Sequence, residues 1–234
     1  MTFYERGKNM EGLRIRDLYD LNETAAGEFL ASYEYPWEAL GDIKEFIISL
    51  GRKLEQTGEY ELKGENIWIA KDAKVAPTAS ITGPCVICTG AEVRHCAFIR
   101  GSALVGEGCV VGNSTELKNV ILFNHVQVPH YNYVGDSILG AYAHMGAGSI
   151  TSNVKGDKKN VTVLLPDGTR VETGKRKFGA MLGDHAEIGC NTVLNPGSVV
   201  GRNTQVYPLS FVRGFVPANS IYKRLGEIAE KNFD

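Results

Sequence analysis

The sequence predicts an all-β solenoid, in which short strands stack into three parallel sheets around an aliphatic core. The first observation is a branched aliphatic residue at every sixth position in two long blocks of the chain. An α-helix requires an apolar period near 3.6 and a two-sided strand a period of 2, so this spacing fits neither as its main repeat. Hexapeptide repeats are instead a signature of β-solenoids. The repeated positions are Ile69, Val75, Ile81, Ile87, Val93, Ile99, Val105, Val111 and Leu117, then Leu182, Ile188, Leu194, Val200, Val206 and Val212.

The second observation is a small residue two positions before most of these aliphatic residues. A small side chain is expected near a solenoid corner, where a large one would clash. Glycine often follows the aliphatic residue, as at Gly106 and Gly189, and corners favour it because glycine readily adopts positive φ. The small residues are Ala73, Ala79, Cys85, Ala91, Ala97, Ala103, Cys109 and Thr115, then Ala186, Thr192, Ser198 and Thr204.

Residues 1–65 lack the repeat and are predicted to form a helical arm that packs on the solenoid. Apolar residues recur at intervals of three and four over about 37–56, after Pro36, which indicates an amphipathic helix. Shorter helices are expected over 13–21 and 25–33. Such an arm would cover strand edges that an open solenoid end exposes. The apolar positions of the main helix are Trp37, Leu40, Ile43, Ile47, Leu50 and Leu54.

The solenoid is predicted to span residues 66–218, with an insertion at 151–181 that leaves the repeat. The insertion carries a hairpin signal, because alternating apolar residues flank the turn sequence Pro166-Asp167-Gly168. Residues 219–234 are predicted to form a short C-terminal helix. Its N-cap would be Asn219 or Ser220, and its apolar face would contain Ile221, Leu225 and Ile228.

The composition is that of a globular protein with one or two domains: 234 residues, 43% hydrophobic and 22% charged. The net charge of -2 gives no reason to expect nucleic acid or an anionic membrane as the main partner. No apolar run approaches the ~20 residues of a membrane span. The N-terminus around Glu5 and Lys8 lacks the apolar core of a signal peptide. We therefore expect a cytoplasmic location.

The five cysteines are predicted to be reduced thiols. Cys85 and Cys109 occupy small positions of the repeat and Cys190 lies at a corner, which fits a reducing compartment. Cys85 and Cys88 form a single CxxC with no second pair, so neither a zinc site nor a redox role is predicted. No metal is expected.

Polar and glycine-rich segments cluster around an irregular part of the repeat, between Val120 and Pro129. Irregular turns on a regular scaffold are where sites tend to be built. These segments resemble the acetyltransferase domain of the bifunctional N-acetylglucosamine-1-phosphate uridyltransferase (glucosamine-1-phosphate acetyltransferase) family. The resemblance covers roughly residues 95–205 and keeps its spacing without gaps from Arg100 to Lys159. The segments that carry it are 112–119 (GNSTELKN), 129–136 (PHYNYVGD), 146–153 (GAGSITSN) and the pair Lys158-Lys159.

The resemblance implies a left-handed parallel β-helix that forms a homotrimer, with sites in the grooves between subunits. It implies acetyl-CoA as the co-substrate and an amino-sugar phosphate as the acceptor. Position by position, it implies His130 as general base and Glu116 as the carboxylate that supports it, and Ala147 and Cys190 at the acyl donor. The residues implied to bind the sugar phosphate are Arg100, Lys118, Tyr133, His144, Asn153 and Lys159.

These residue types suit acetyl transfer to an amine on chemical grounds alone. An amino sugar is mostly an ammonium ion at neutral pH and cannot attack a thioester, whereas a histidine can remove the proton. A carboxylate such as Glu116 can hold the ring and favour the imidazolium. Cations such as Arg100 bind phosphate oxygens through several N–H donors. The oxyanion that forms from the thioester needs a donor, usually a backbone N–H.

The chain departs from the family at four points, one of which is a hairpin insertion after Lys159 that is longer than in the bacterial bifunctional enzymes. The family commonly has asparagine at the position of His144 and serine at that of Cys190, and the first difference leaves the sugar preference open. Residues before about 60 show nothing like the glycine-rich nucleotide loop of a uridyltransferase domain. We therefore expect that this chain does not make the sugar nucleotide itself, and a nucleotidyltransferase is a possible partner.

Two other functions remain open at this stage. A zinc hydratase of the γ-carbonic-anhydrase type would use three histidines, and His95, His125 and His130 are the candidates. The 30 residues from His95 to His125 are not a multiple of 18, so a regular solenoid would not stack them on one edge. A non-catalytic hexapeptide-repeat module that partners a sugar-phosphate nucleotidyltransferase is the other alternative. It predicts that His130 can be lost without consequence.

Overall fold

The computed structural model describes residues 10–224 and 227–232. Glu5, Lys8 and Leu225, on which two of the expectations above partly rest, lie outside this range. The arm contains the α-helices α1 (Ile15–Leu18), α2 (Gly27–Ala31) and α3 (Ile43–Glu55), and 3-10 helices at Leu21–Glu23 and Pro36–Gly41.

The predicted amphipathic helix is therefore divided in two. Its first part, from Pro36, is 3-10 helical, and the α-helix begins only after Asp42, whose φ of -107° departs from helical values. Within the described residues, no helix combines the length and apolarity needed to cross a membrane.

The predicted all-β solenoid is confirmed, with about nine turns. The strands, in chain order, are β1 (Tyr60–Gly64), β2 (Ile67–Ala70), β3 (Lys74–Val75), β4 (Ser80–Ile81), β5 (Cys85–Ile87), β6 (Glu92–Val93), β7 (Phe98–Ile99), β8 (Ala103–Val105), β9 (Val110–Asn113), β10 (Glu116–Leu122), β11 (Gln127–His130), β12 (Tyr133–Leu139), β13 (His144–Met145), β14 (Ile150–Thr151), β15 (Thr162–Leu164), β16 (Arg170–Glu172), β17 (Ala180–Leu182), β18 (Glu187–Ile188), β19 (Val193–Leu194), β20 (Ser198–Val200), β21 (Gln205–Val206), β22 (Phe211–Val212), β23 (Phe215–Val216), β24 (Ser220–Arg224) and β25 (Glu227–Glu230).

Parallel pairing arranges these strands into three faces. The arm face contains β2, β5, β8, the ends of β10 and β12, β17, β20 and β23. The second face contains β4, β7, the starts of β10 and β12, β14, β19 and β22. The third face contains β3, β6, β9, β11, β13, β18, β21 and β24. Strands β10 and β12 each turn the corner between two faces, since Glu116 pairs with β7 while Val120 pairs with β8.

The arm face is apolar on its outer side as well as its inner side. Side chains alternate across a strand, so the middle residue of each strand points away from the core. On this face those residues are in register and buried, and α3 and the 3-10 helix before it pack on the strands from β2 to β12. They are Trp68, Val86, Leu104, Ile121, Ile138, Met181 and Val199.

Ring contacts and hydrogen bonds anchor the arm. Trp37 stacks on Phe178 with ring centroids 5.8 Å apart, and Tyr19 lies 5.0 Å from Phe123. The buried Asp184 carboxylate accepts hydrogen bonds from the backbone N–H groups of Asp20 at 2.7 Å and Ala141 at 2.9 Å. The arm is thus an integral layer of the structure.

The six-residue repeat becomes irregular between Val120 and Pro129 because some turns of the solenoid are one residue shorter than others. Early turns contain 18 residues, as between the paired Ile99 and Leu117. The next two turns contain 17, because Leu117 pairs with Val134, and Gln127 with His144. The missing residue is at the corner where the chain passes from the second face to the arm face, since Leu117 and Leu122 are five positions apart instead of six.

The predicted hairpin in the insertion is confirmed. Strands β15 and β16 pair antiparallel, with Val163 opposite Val171. Val161 and Val163 are fully buried, so the hairpin lies against the solenoid. The insertion returns the chain to the arm face at Ala180.

The predicted C-terminal helix is wrong. Ile221 and Tyr222 continue the third face by pairing with β21, and Ile228 then pairs back on Tyr222 in an antiparallel hairpin. The hairpin covers the backbone edge of the last turn, which would otherwise expose unpaired hydrogen-bonding groups. Strand β1 covers the other end in the same way, antiparallel to β2.

We predict that Leu104→Ala lowers the free energy of unfolding by about 2–5 kcal/mol, because it leaves a cavity between the arm face and α3. Leu62→Ala is the matched control: Leu62 is 51% exposed on the end strand β1, so its loss is expected to change stability by less than about 0.5 kcal/mol. Urea denaturation measures both. Equal effects would contradict the assignment of the arm as a packed layer.

Candidate active site

Three of the predicted site residues form a column at the corner between the third and second faces. The carbonyl oxygen of His130 accepts a hydrogen bond from Gly148 N–H at 3.0 Å, and that of Ala147 accepts one from Asn191 N–H at 2.8 Å. His130, Ala147 and Cys190 therefore occupy successive turns. Gly146 permits their close stacking, since a Cβ there would lie 2.7 Å from the Cys190 nitrogen.

The backbone around His130 is held firmly while its ring is exposed. Its N–H donates to Asn132 Oδ1 at 3.1 Å, and Asn132 Nδ2 donates to the carbonyl oxygens of Gly146 at 2.9 Å and Ser149 at 3.1 Å. Asn132 is buried and ties the two neighbouring corners together. The imidazole makes no hydrogen bond to another described residue, so it is available to a ligand.

The backbone N–H of Ala147 is also available, because it donates to no residue in the described ranges. Ala147 is half-buried and Cys190 is exposed. This corner therefore presents an imidazole, a backbone donor and a thiol along one line.

Glu116 and Arg100 form an ion pair on the second face, with 2.6 Å between Glu116 Oε1 and Arg100 Nη1. The hydrogen bond to Glu116 raises the pKa of the Arg100 guanidinium. Within the described part of the chain, no hydrogen bond joins Glu116 to His130. The support of His130 by Glu116 therefore stays a prediction.

A polar cluster lies at the corner between the second face and the arm face, and its centre is Asp136. This carboxylate is 4% exposed. It accepts hydrogen bonds from Lys118 Nζ at 2.9 Å, Asn119 Nδ2 at 3.0 Å and Asn153 Nδ2 at 2.5 Å. Asp136 is not among the site residues predicted from the sequence, although it lies in one of the segments that carry the resemblance.

Tyr133 completes this cluster. Its hydroxyl oxygen accepts a hydrogen bond from Asn153 Nδ2 at 3.2 Å. Burial raises the pKa of Tyr133, and the Asp136 and Glu116 carboxylates add to this effect. The phenol therefore remains neutral at physiological pH and its O–H can donate to a ligand.

The arm and the insertion both hold the cluster in place. Asn119 Nδ2 also donates to the Leu40 carbonyl oxygen at 3.1 Å. Phe178 N–H donates to the Asn153 carbonyl oxygen at 3.0 Å. Elements far apart in the sequence thus fix the side chains that surround Asp136.

Two predicted residues lie apart from the cluster in the single chain. Lys159 is exposed in the insertion, where its backbone N–H donates to Asp157 Oδ1 at 3.0 Å. His144 lies on the third face, with its Nδ1 atom 2.9 Å from Glu187 Oε2. Among the described residues, neither side chain has a hydrogen bond to the Asp136 cluster.

The three histidines of the zinc alternative have separate surroundings. His95 Nδ1 is 2.7 Å from Thr78 Oγ1, and the His125 ring stacks on Tyr142 with centroids 4.7 Å apart. Residues 10–224 and 227–232 contain no group of three or more His, Cys, Asp or Glu side chains placed to hold a metal ion. Within the described part of one chain, the three histidines are therefore not gathered at one site.

The part of the chain that contains most of the predicted site residues matches a known protein family. The GMPPB C-terminal domain family matches residues 81–175. The "Bifunctional protein GlmU" of Methanococcus vannielii is 41% identical over 108 residues, which are 46% of this chain and 26% of that protein. The GlmU of Methanococcus maripaludis strain S2 is 34% identical over 176 residues, 74% of this chain and 42% of that protein. The chain thus spans less than half the length of these relatives.

Among solved structures, a hexapeptide transferase family protein from Anaplasma phagocytophilum aligns with a TM-score of 0.40 at 17% identity. The alignment covers 71% of this chain and 79% of that one. The likeness therefore rests on the sequence relatives. Over its matched residues, this chain is similar to the C-terminal acetyltransferase domain of GlmU-like proteins.

Proposed function

We propose that this chain transfers an acetyl group from acetyl-CoA to the amine of an amino-sugar 1-phosphate of the glucosamine-1-phosphate type. The observation that carries the proposal is the row of chemically matched groups across the second face. The row begins with the His130 imidazole and the Ala147 N–H at one corner. It ends with Tyr133, Lys118 and Asn153 at the next corner. The relationship to GlmU-like proteins supports the same chemistry.

The reaction requires one base and one oxyanion donor. The neutral amine attacks the thioester carbonyl carbon and forms a C–N bond, while His130 takes a proton from the amine nitrogen. The Ala147 N–H donates to the oxygen on which negative charge develops. The C–S bond then breaks, and the proton on His130 passes to the CoA sulfur. No covalent enzyme intermediate is needed.

The acceptor phosphate would bind the cations of the second face. The Lys118 ammonium uses one of its three N–H donors on Asp136, and its side chain is 28% exposed. Arg100 is 47% exposed and has donors beyond the one that binds Glu116. Both cations are therefore oriented by carboxylates while they keep free donors for phosphate oxygens.

We propose that the complete site forms between copies of the chain in a homotrimer. His144 and Glu116 lie on different faces of one chain, so a single groove holds both only if two copies contribute. Large apolar side chains are exposed on the second face and at its corner with the third face, and such patches commonly mark interfaces. They are Phe98, Tyr131, Tyr207, Leu209 and Phe211.

The five cysteines are all unpaired. Free thiols fit a reducing compartment, so a cytoplasmic location is part of this proposal. A nucleotidyltransferase that uses the acetylated product is the expected partner enzyme.

The alternative is a non-catalytic module that partners a sugar-phosphate nucleotidyltransferase. The match of residues 81–175 to the GMPPB C-terminal domain family is the observation that favours it. The two proposals differ in one respect: only the enzyme requires the His130 imidazole.

We predict that His130→Ala lowers kcat by ~10²-fold or more, because the base is lost, with little change in Tm. The measurement is release of free CoA thiol from acetyl-CoA, with glucosamine-1-phosphate and galactosamine-1-phosphate in parallel. His185→Ala is the control, because His185 is an exposed histidine that stacks on Tyr142 at another corner. Absence of thiol release by the folded wild type with both sugars would favour the non-catalytic module.

We predict that Asp136→Asn raises KM for the sugar phosphate by about tenfold or more and lowers the free energy of unfolding by about 1–3 kcal/mol. Asp136 Oδ1 accepts from Lys118 and Asn119, and Oδ2 accepts from Asn153. An amide nitrogen at either position therefore opposes a buried N–H donor, and loss of the negative charge weakens the interaction that orients Lys118. Thiol-release kinetics and urea denaturation measure the two effects. The exposed Asp72→Asn is the control, and an unchanged KM for Asp136→Asn would refute the positioning role.

We predict that the protein sediments at three times its chain mass of 25.5 kDa, and that Leu209→Asp reduces this to the single-chain mass. A carboxylate at an interface is strongly unfavourable without a partner. Leu62→Asp is the control, since Leu62 is also exposed but lies on the end strand β1. Sedimentation equilibrium measures these masses, and a monomeric wild type would refute the trimer proposal.

A further inference from the structure

A groove of about 500 Å³ lies between the insertion and the last turns of the solenoid. This volume falls within the range of roughly 300–1,000 Å³ that is usual for small-molecule sites. Its lining is polar and includes Ser152, Lys155, Asp157, Asn195, Arg170 and Arg213. Arg170 comes from the hairpin strand β16, whereas Arg213 follows the solenoid strand β22.

The groove shares a corner with the Lys118 cluster but is distinct from it. Ser152, Asn195 and Arg213 each follow a strand of the second face, as Lys118 does, and backbone hydrogen bonds place them on successive turns. Arg213 is four turns from Lys118, a separation of about 19 Å at about 4.8 Å per strand. Lys118 and Arg213 therefore cannot hold the same phosphate.

The charges of the groove are unbalanced. Lys155 pairs with Asp157 at 3.3 Å. Within residues 10–224 and 227–232, neither the Arg170 nor the Arg213 guanidinium has a hydrogen bond or an ion pair, and both residues are exposed. Two guanidinium groups thus share one groove without an anionic partner, and guanidinium groups are the side chains best suited to bind phosphate oxygens through paired N–H donors.

The hairpin packs directly against the solenoid, and this packing fixes the position of Arg170 relative to Arg213. A Cβ at Gly214 would lie 2.2 Å from the Leu164 carbonyl oxygen, and one at Gly197 would lie 2.7 Å from that of Thr162. Glycine at both positions lets the backbone of β15 approach the solenoid directly. The groove between them is therefore part of the folded structure.

We propose that this groove is a second anion site and binds the diphosphate group of a small molecule. Two guanidinium groups from opposite walls match the two phosphoryl units of a diphosphate better than a single phosphate. The proposal goes beyond acetyl transfer and does not depend on it, because its residues are separate from His130 and Lys118.

The test is titration calorimetry with inorganic pyrophosphate, in the Arg100→Ala, Lys118→Ala background so that both cations proposed to bind the sugar phosphate are removed. We expect one pyrophosphate per chain, and at least a tenfold rise in Kd when Arg170→Ala and Arg213→Ala are added together. Arg176→Ala is the matched control, since Arg176 is an exposed arginine of the same insertion outside the groove, and it is expected to leave Kd unchanged. Thermal melting establishes that each variant is folded.

No pyrophosphate binding, or an equal loss with Arg176→Ala, would overturn the proposal. Parallel titrations with uridine diphosphate and CoA then identify the source of the diphosphate, as the tighter arginine-dependent ligand. Because the readout is binding, failure of acetyl transfer does not affect it, and failure of this site leaves the transferase proposal intact.

Discussion

The stacking of parallel strands is the constraint on which the rest of this structure depends. Each turn hydrogen-bonds to the next at a spacing of about 4.8 Å, so every side chain belongs to a column that runs along the solenoid. Inward columns must be aliphatic, and corner columns must be small or glycine. Once that is satisfied, the outward columns can carry chemistry at fixed separations. His130, Ala147 and Cys190 are neighbours for this reason, although they are dispersed in the chain.

The buried Asp136 carboxylate connects this scaffold to the candidate site. Two turns contain 17 residues instead of 18, and the corner at Lys118 and Asp136 is the part that is one residue shorter. The carboxylate then gathers Lys118, Asn119 and Asn153 around it. A buried charge is stable only when it is fully hydrogen-bonded, so the same bonds that stabilise Asp136 also orient the cation and the amide that are proposed to bind substrate.

The arm and the insertion give the three faces different roles. The arm covers one face and supplies the Leu40 carbonyl to the cluster, whereas the insertion supplies Arg170 to the second groove. The other two faces remain accessible, and exposed apolar side chains lie on the second face and at its corner with the third. One face of the solenoid is thus covered by the arm, and the other two are available to ligands and to other copies of the chain.

The sequence by itself determined the solenoid, because few architectures besides a β-solenoid require a strict six-residue period. It also indicated the arm, through the spacing of apolar residues, and the hairpin, through its turn residues. It did not determine the C-terminal hairpin, since Ile221 and Ile228 fit a helix locally and only the open edge of the last turn selects a strand. The Arg100–Glu116 pair, the role of Asp136 and the meeting of Arg170 with Arg213 were also decided by the tertiary structure. The residues in each of these pairs are 16 to 43 positions apart in the chain. Their distances in space depend on the length of each turn and on how the arm and the insertion pack. The spacing of residues in the sequence does not specify either.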